Sequence, residues 1–157
     1  MISRRKFILW TGRAITGGLV AGALLPVLES CAPTSIPAAP VIGPPATPGP
    51  DGRIPIDVSD LTASNPVKLA PGMTGSDGMP VMITFVAPAT YTALSSLCTH
   101  LSCQVQTQVV NGDLPCVCHG SLFAFDGSVK QGPAGRALTV YNSVFDATNK
   151  QLRIKLA

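Results

Sequence analysis

Residues 98–103 read Cys-Thr-His-Leu-Ser-Cys, and residues 116–121 read Cys-Val-Cys-His-Gly-Ser. These two segments hold four of the five cysteines of the chain and both of its histidines. Thiolate and imidazole are the protein donors that soft and borderline metals prefer. The sequence therefore predicts a metal centre built from these two segments.

Short apolar or alternating runs separated by turn signals surround both segments. They have the length of strands rather than helices, and they cover residues 67–69, 81–86, 91–97, 105–110, 114–117, 122–125, 128–130, 137–141 and 151–156. Hairpin turns are predicted at Asn111-Gly112-Asp113 and at Asp126-Gly127. No amphipathic helix is evident after residue 31. We predict an all-β fold, a small antiparallel sandwich or barrel, with both Cys/His segments in loops at one end.

The first 30 residues have the order of an export signal. Arg4 and Arg5 precede a Gly/Ala/Leu-rich run at residues 15–28, and this order resembles a twin-arginine signal. An ordinary secretory signal and a membrane helix are the alternatives, but the run is shorter than the about 20 residues that span a bilayer. We expect residues 1–30 to act as a signal or anchor that places the protein on the periplasmic face of the bacterial cytoplasmic membrane.

A Pro/Ala-rich stretch follows at residues 31–55. Residues 28–31, Leu-Glu-Ser-Cys, resemble a lipobox, which makes Cys31 a candidate for lipidation; alternatively the signal stays attached and Cys31 is an idle thiol. Because proline removes backbone donors, we expect a semi-rigid spacer without packed structure. The folded domain is then residues 56–157. From Cys31 onward seven Lys or Arg balance seven Asp, which argues against a nucleic-acid partner.

The two segments leave a zinc site as one alternative. A Cys and a His from each would supply the four donors of structural zinc. However, each segment has a second cysteine, and the spacings Cys-x-His and Cys-x-x-His match zinc fingers poorly. A non-redox zinc module stays open here, and zinc without iron or acid-labile sulfide in a metal analysis would establish it.

The same residues resemble the Rieske family, whose loops run Cys-Thr-His-Leu-Gly-Cys and Cys-Pro-Cys-His-Gly-Ser. Both loops match in order, and Gly-Pro-Ala at residues 132–134 matches a third loop that covers the cluster. The resemblance implies one [2Fe-2S] cluster, with one iron on Cys98 and Cys116 and the other on His100 and His119. It also implies electron transfer, with no catalytic residues in the domain itself.

The resemblance further implies a disulfide between Cys103 and Cys118 that ties the two loops together. A disulfide requires an oxidising compartment, in agreement with the export signal. Ser121 is implied to donate a hydrogen bond to a cluster sulfide. Three positions depart from the family pattern: Ser102 replaces Gly, Val117 replaces Pro, and Phe123 replaces a Tyr whose hydroxyl bonds a ligand sulfur in many respiratory members.

The donor set bears on the redox potential. Two thiolates cancel the double positive charge of an oxidised [2Fe-2S] core, so an added electron is less opposed than with four thiolates. Two-His clusters accordingly lie at roughly −150 to +300 mV, against about −400 mV for plant-type ones. We expect a subunit of, or partner to, a membrane quinol-cytochrome oxidoreductase chain, with a cytochrome c-like acceptor. The alternative is the small Rieske subunit of an exported molybdenum oxidoreductase, similar to arsenite oxidase.

Overall fold

The computed structural model of the chain describes residues 43–156. Within this range the chain forms antiparallel strands and no helix, which confirms the all-β prediction. No helix among these residues is long and apolar enough to cross a bilayer. The strands are β1 Ile54–Asp57, β2 Val67–Thr74, β3 Pro80–Ala87, β4 Thr90–Ser95, β5 Leu114–Cys116, β6 Ser121–Phe123, β7 Val129–Gln131, β8 Val140–Asp146 and β9 Gln151–Lys155.

The strands form two sheets. Six of them lie in the order β1-β9-β8-β4-β3-β2 and make a nearly closed barrel, whereas β5, β6 and β7 form a small separate sheet. All strand pairs are antiparallel. The small sheet lies in the chain between β4 and β8, two neighbouring strands of the barrel, so it is an insertion that the barrel supports.

The barrel has apolar residues on both faces of its central strand β3. Because successive side chains of a strand point to opposite faces, Val81 and Ile83 enter the barrel core, while Met82 lies in a second core beneath the small sheet. Phe123 of β6 is fully buried in that second core. Burying such apolar side chains stabilises the fold by about 1.5–3 kcal/mol each. The second core therefore fixes the small sheet on the barrel.

The predicted strand at residues 105–110 is wrong. Isolated bridges occur at Gln104, just before the segment, and at Val110, its last residue. The N–H of Val105 donates to the carbonyl of Ser96 in the barrel segment, whereas the N–H of Gln106 donates to Pro115 of the small sheet. Because neighbouring amides bond to different sheets, the segment crosses from one to the other and cannot follow a single partner strand.

One other strand boundary differs from the sequence pattern, and one predicted turn is confirmed. The strand expected at residues 137–141 begins only at Val140 and continues to Asp146, where it pairs with β9. The predicted turn at Asn111-Gly112 is present: both residues have positive φ, 52° and 85°, and Val110 and Asp113 exchange backbone hydrogen bonds. These are the features of the tight turn that Asn-Gly favours.

The described end of the Pro-rich stretch is packed, contrary to the expectation of an unpacked spacer up to residue 55. Ala46 donates its N–H to the carbonyl of Gly72 at 3.0 Å and packs against the barrel core. A Cβ at Gly72 would lie 1.8 Å from the carbonyl oxygen of Pro44. The Pro-rich segment can therefore lie this close to β2 only because residue 72 is a glycine. The predicted signal at residues 1–30 and the candidate lipidation site Cys31 lie outside the described residues.

Candidate metal centre

The first Cys/His loop is closed by its own backbone. The N–H of Cys98 donates to the carbonyl of Cys103 at 2.8 Å, and the N–H of Ser102 donates to the carbonyl of Cys98 at 3.0 Å. Ser102 has a φ of 59°, in the left-handed region that favours glycine. The departure from Gly at this position therefore keeps the loop geometry but adds backbone strain.

Ser102→Gly is expected to raise the free energy of unfolding by about 0.5–1 kcal/mol, because glycine adopts a positive φ without the steric penalty of a Cβ. Urea denaturation measures the change. Ser64→Gly is the matched control: Ser64 is exposed and has no positive φ, so glycine there should lower the free energy of unfolding. Equal destabilisation by both variants would contradict the strain at Ser102.

The second loop is a hairpin tip. Strand β5 ends at Cys116 and β6 begins at Ser121, and these two residues face each other in the ladder. Gly120 has a φ of 77° and donates its N–H to the carbonyl of Cys116 at 3.0 Å. The tight turn places Cys116 at the buried base of the hairpin and His119 at its exposed end.

The third loop is tied to both others. The hydroxyl oxygen of Ser121, fully buried, accepts the N–H of Ala134 at 3.0 Å, which leaves the hydroxyl proton of Ser121 free to donate elsewhere. The Thr99 hydroxyl donates to the carbonyl of Arg136 at 2.5 Å. The side-chain amide of Gln131 donates to the carbonyl of Gly120 at 3.0 Å.

A disulfide joins the two Cys/His loops, as predicted. Cys103 and Cys118 are bonded, with their Cα atoms 6.5 Å apart. Cys103 lies three residues after His100, and Cys118 lies directly before His119. The bond therefore holds both loop tips at a fixed separation. Cys98 and Cys116 are the free thiols of the described residues, and both are buried.

The four candidate donors lie in two pairs. Burial raises the pKa of the Cys116 thiol to about 11, and the neighbouring Cys98 thiol adds to that rise. A thiolate at this position therefore needs a compensating positive charge, such as iron. The imidazole rings of His100 and His119 have centroids 4.8 Å apart and are nearly perpendicular. The two sulfurs form the buried pair and the two imidazoles the outer pair.

The donor arrangement fits a two-iron group. The Nδ1 atom of His100 is buried and has no hydrogen-bond partner, a costly condition that metal ligation would relieve. Among residues 43–156, no three His, Cys, Asp or Glu side chains converge on one point that could hold a single metal ion. Two thiols and two imidazoles are the protein donor set that a two-Cys, two-His [2Fe-2S] cluster would take.

The comparison with known proteins decides the family. Residues 59–142, more than half of the chain, match the family model of the Rieske [2Fe-2S] domain. The chain belongs to the Rieske family. As a Rieske protein it carries one [2Fe-2S] cluster and transfers electrons, so the zinc alternative is set aside.

Relatives of this Rieske protein match almost its whole length. The cytochrome b6-f complex iron-sulfur subunit of Synechococcus sp. (strain JA-2-3B'a(2-13)) is 34% identical over 94% of this chain and 85% of its own. The cytochrome b6-f complex iron-sulfur subunit 1 of Nostoc sp. (strain PCC 7120) is 31% identical over 88% of this chain and 77% of its own. The ferredoxin of carbazole 1,9a-dioxygenase from Nocardioides aromaticivorans IC177 has the same fold, with a TM-score of 0.50 at 17% identity over 67% and 98%.

The sequence alone did not indicate which residues fasten the third loop of the Rieske domain. Thr99 and Arg136 are 37 positions apart, and Gln131 reaches Gly120 from the end of β7. Neither contact has a local pattern, since both depend on how the small sheet lies on the barrel. The N–H of Ala134 donates to the hydroxyl oxygen of Ser121, and this hydrogen bond joins residues 132–134 to the second Cys/His loop.

Proposed function

We propose that Cys98 and Cys116 hold one iron of the cluster and that His100 and His119 hold the other. The pairing of two buried thiols and two adjacent imidazoles supports this assignment, as does the unpartnered Nδ1 of His100. When bound, the cluster supplies a one-electron couple. The protein residues hold it at the end of the domain, with the sulfur donors inside and the imidazole donors outward.

We further propose that the protein is the electron-transfer subunit of a membrane complex that oxidises quinol and reduces a cytochrome c-like acceptor. The observation that carries this proposal is the 34% identity, over 94% of the chain, to an iron-sulfur subunit of the cytochrome b6-f complex. The Cys103–Cys118 disulfide agrees with an oxidising, extracytoplasmic location.

The exposed end of the two loops suits contact with a membrane-embedded partner. Leu101 is 61% exposed and Val117 is 62% exposed, and His119 is exposed beside them. Exposed apolar side chains clustered around a functional group mark interaction sites more often than scattered ones do. A quinol-oxidising partner would thus meet the imidazole side of the site across an apolar contact.

The proposal includes export and tethering through the N-terminal residues. Arg4 and Arg5 before an apolar run would direct twin-arginine export, and Cys31 would be lipidated or the signal retained as an anchor. Mass spectrometry of the mature protein distinguishes these cases: a lipid-modified Cys31 at the N-terminus, or an intact residue 1–30 segment. A mature cytoplasmic protein with neither would contradict the proposed location.

Co-purification from native membranes tests the proposed complex. A C-terminally tagged chain is expected to bring down a haem-containing cytochrome complex with quinol:cytochrome c reductase activity, and deletion of the chain should abolish that activity. Recovery of a large exported molybdenum oxidoreductase instead would contradict the quinol-linked role and establish the alternative.

Phe123→Tyr is expected to raise the midpoint potential. Phe123 is fully buried in the core that contains Cys116, so a hydroxyl there can donate to a ligand sulfur and stabilise the more negative reduced state. A hydrogen bond of about 1 kcal/mol corresponds to about 40 mV for one electron. Phe125→Tyr, at a half-buried position packed against the same core, is the control and should change the potential little. An unchanged or lower midpoint for Phe123→Tyr would contradict the expectation.

A further inference from the structure

The three loops around the metal centre carry almost no charge. Across residues 98–103, 116–121 and 132–137, which we call the cluster face, Arg136 is the one residue with a formal charge at neutral pH when the histidines are neutral. The rest of the face is apolar or neutral and polar. Its electrostatic character toward a partner therefore depends on a single guanidinium.

The Arg136 side chain is exposed and unpaired. Among residues 43–156, the ion pairs involve Arg53, Lys68 and Arg153, each with an aspartate, and none involves Arg136. The backbone of Arg136 is fixed, in contrast, because its carbonyl accepts the Thr99 hydroxyl at 2.5 Å. The loop thus holds the base of an arginine whose charged end has no partner within the described part of the chain.

Arg136 lines a notch of about 330 Å³ on the side of the first loop. The notch also includes Cys98, His100 and the hydroxyl residues Thr99 and Ser102, and no carboxylate lines it. An anionic group that enters this notch would meet the Ser102 hydroxyl and the positive charge of Arg136 next to a candidate ligand. A cationic group would meet repulsion without compensation.

We propose that Arg136 is the recognition residue for a carboxylate side chain of the protein that exchanges electrons with the cluster. This inference rests on the proposed function and specifies the chemistry of the partner surface. A guanidinium presents paired donors that match the two oxygens of a carboxylate. Because the folded part of the chain has balanced charges, one unpaired cation on the cluster face makes the electrostatic potential there positive. This potential steers an acidic patch of the partner toward the cluster face.

Small redox reagents of opposite charge test the sign of this face. The purified holoprotein is reduced and then oxidised by ferricyanide, a trianion, or by tris(phenanthroline)cobalt(III), a trication; in each case one electron leaves the cluster and reduces the reagent's metal. Arg136→Gln should slow the ferricyanide reaction about threefold or more at low ionic strength and speed the cobalt reaction. The ratio of the two rates cancels any change in driving force that the variant causes.

Lys130→Gln is the matched control, since Lys130 is an exposed cation just before the third loop that does not line the notch. It should change the rate ratio much less than Arg136→Gln. Equal changes in both variants would show a general charge effect and overturn the proposal. An unchanged ratio for Arg136→Gln, with the cluster intact, would overturn it as well while leaving the proposed electron-transfer role untouched.

A binding measurement gives a second readout that does not use electron transfer. Hexaglutamate is titrated into the holoprotein with the cluster oxidised, and binding is followed by calorimetry at low ionic strength. The wild type is expected to bind more tightly than Arg136→Gln, with the difference lost at high salt. Equal binding by the wild type and Arg136→Gln would contradict a carboxylate site at Arg136.

Discussion

Cys116→Ser is expected to yield a folded protein without a cluster, with iron falling from about two atoms per chain to nearly none. Cys116 is fully buried beside Cys98, and an alcohol there cannot supply the thiolate that neutralises iron. Inductively coupled plasma analysis of iron, together with acid-labile sulfide, measures the loss. Visible absorbance and the electron paramagnetic resonance signal of the reduced state should disappear with it.

Cys31→Ser is the matched control for this experiment, because it is the same substitution at the one cysteine outside the loops. It should retain full iron and sulfide. The free-thiol count of unfolded Cys116→Ser shows whether the Cys103–Cys118 disulfide has formed, which separates loss of a ligand from failure to fold. Full iron and sulfide in Cys116→Ser would contradict the ligand assignment.

Removal of the disulfide by the double substitution Cys103→Ser and Cys118→Ser is expected to lower the free energy of unfolding by about 3 kcal/mol, given the loop that it closes. The cysteines are 15 positions apart, and their bond is a direct covalent link between the two loops. We therefore expect the cluster to be lost at a lower temperature. Urea denaturation and the thermal decay of visible circular dichroism measure the two effects.

Wild-type protein treated with a thiol reductant is the control for the double substitution and should lose its cluster at a similar temperature once the disulfide opens. A second control is the double substitution Ser59→Ala and Ser64→Ala, at two exposed serines. Its free energy of unfolding should differ from that of the wild type by less than about 1 kcal/mol. Unchanged stability of the disulfide-free protein would show that the bond does not hold the loops together.

The parts of the site that sequence predicted are those coded by local spacing. The two Cys/His segments and the turn at Asn111-Gly112 each lie in a few consecutive residues whose types limit what the chain can do there, whereas the Cys103–Cys118 disulfide was implied by the resemblance to the Rieske family. The all-β fold class was predicted in the same way, from the lengths of the apolar and alternating runs. Local patterns thus indicated candidate donors, although they left a zinc site open until the family match.

The parts that sequence missed depend on the packing of one element on another. Residues 105–110 alternate like a strand, but their amides bond to both sheets. The Pro-rich segment reads as a spacer, yet Ala46 bonds to Gly72 because that glycine allows a close approach. The contact between Thr99 and Arg136 likewise joins loops far apart in the chain. No single-sequence pattern encodes these long-range contacts.

The midpoint potential of the purified protein, followed across alkaline pH by circular dichroism or electron paramagnetic resonance, tests the two-Cys, two-His cluster most directly. A ferric ion makes the free N–H of a bound imidazole easier to release, so rising pH favours the oxidised state. We predict a positive midpoint potential that falls with pH, approaching about 59 mV per pH unit for one proton per electron. A low midpoint that does not change with pH would contradict it.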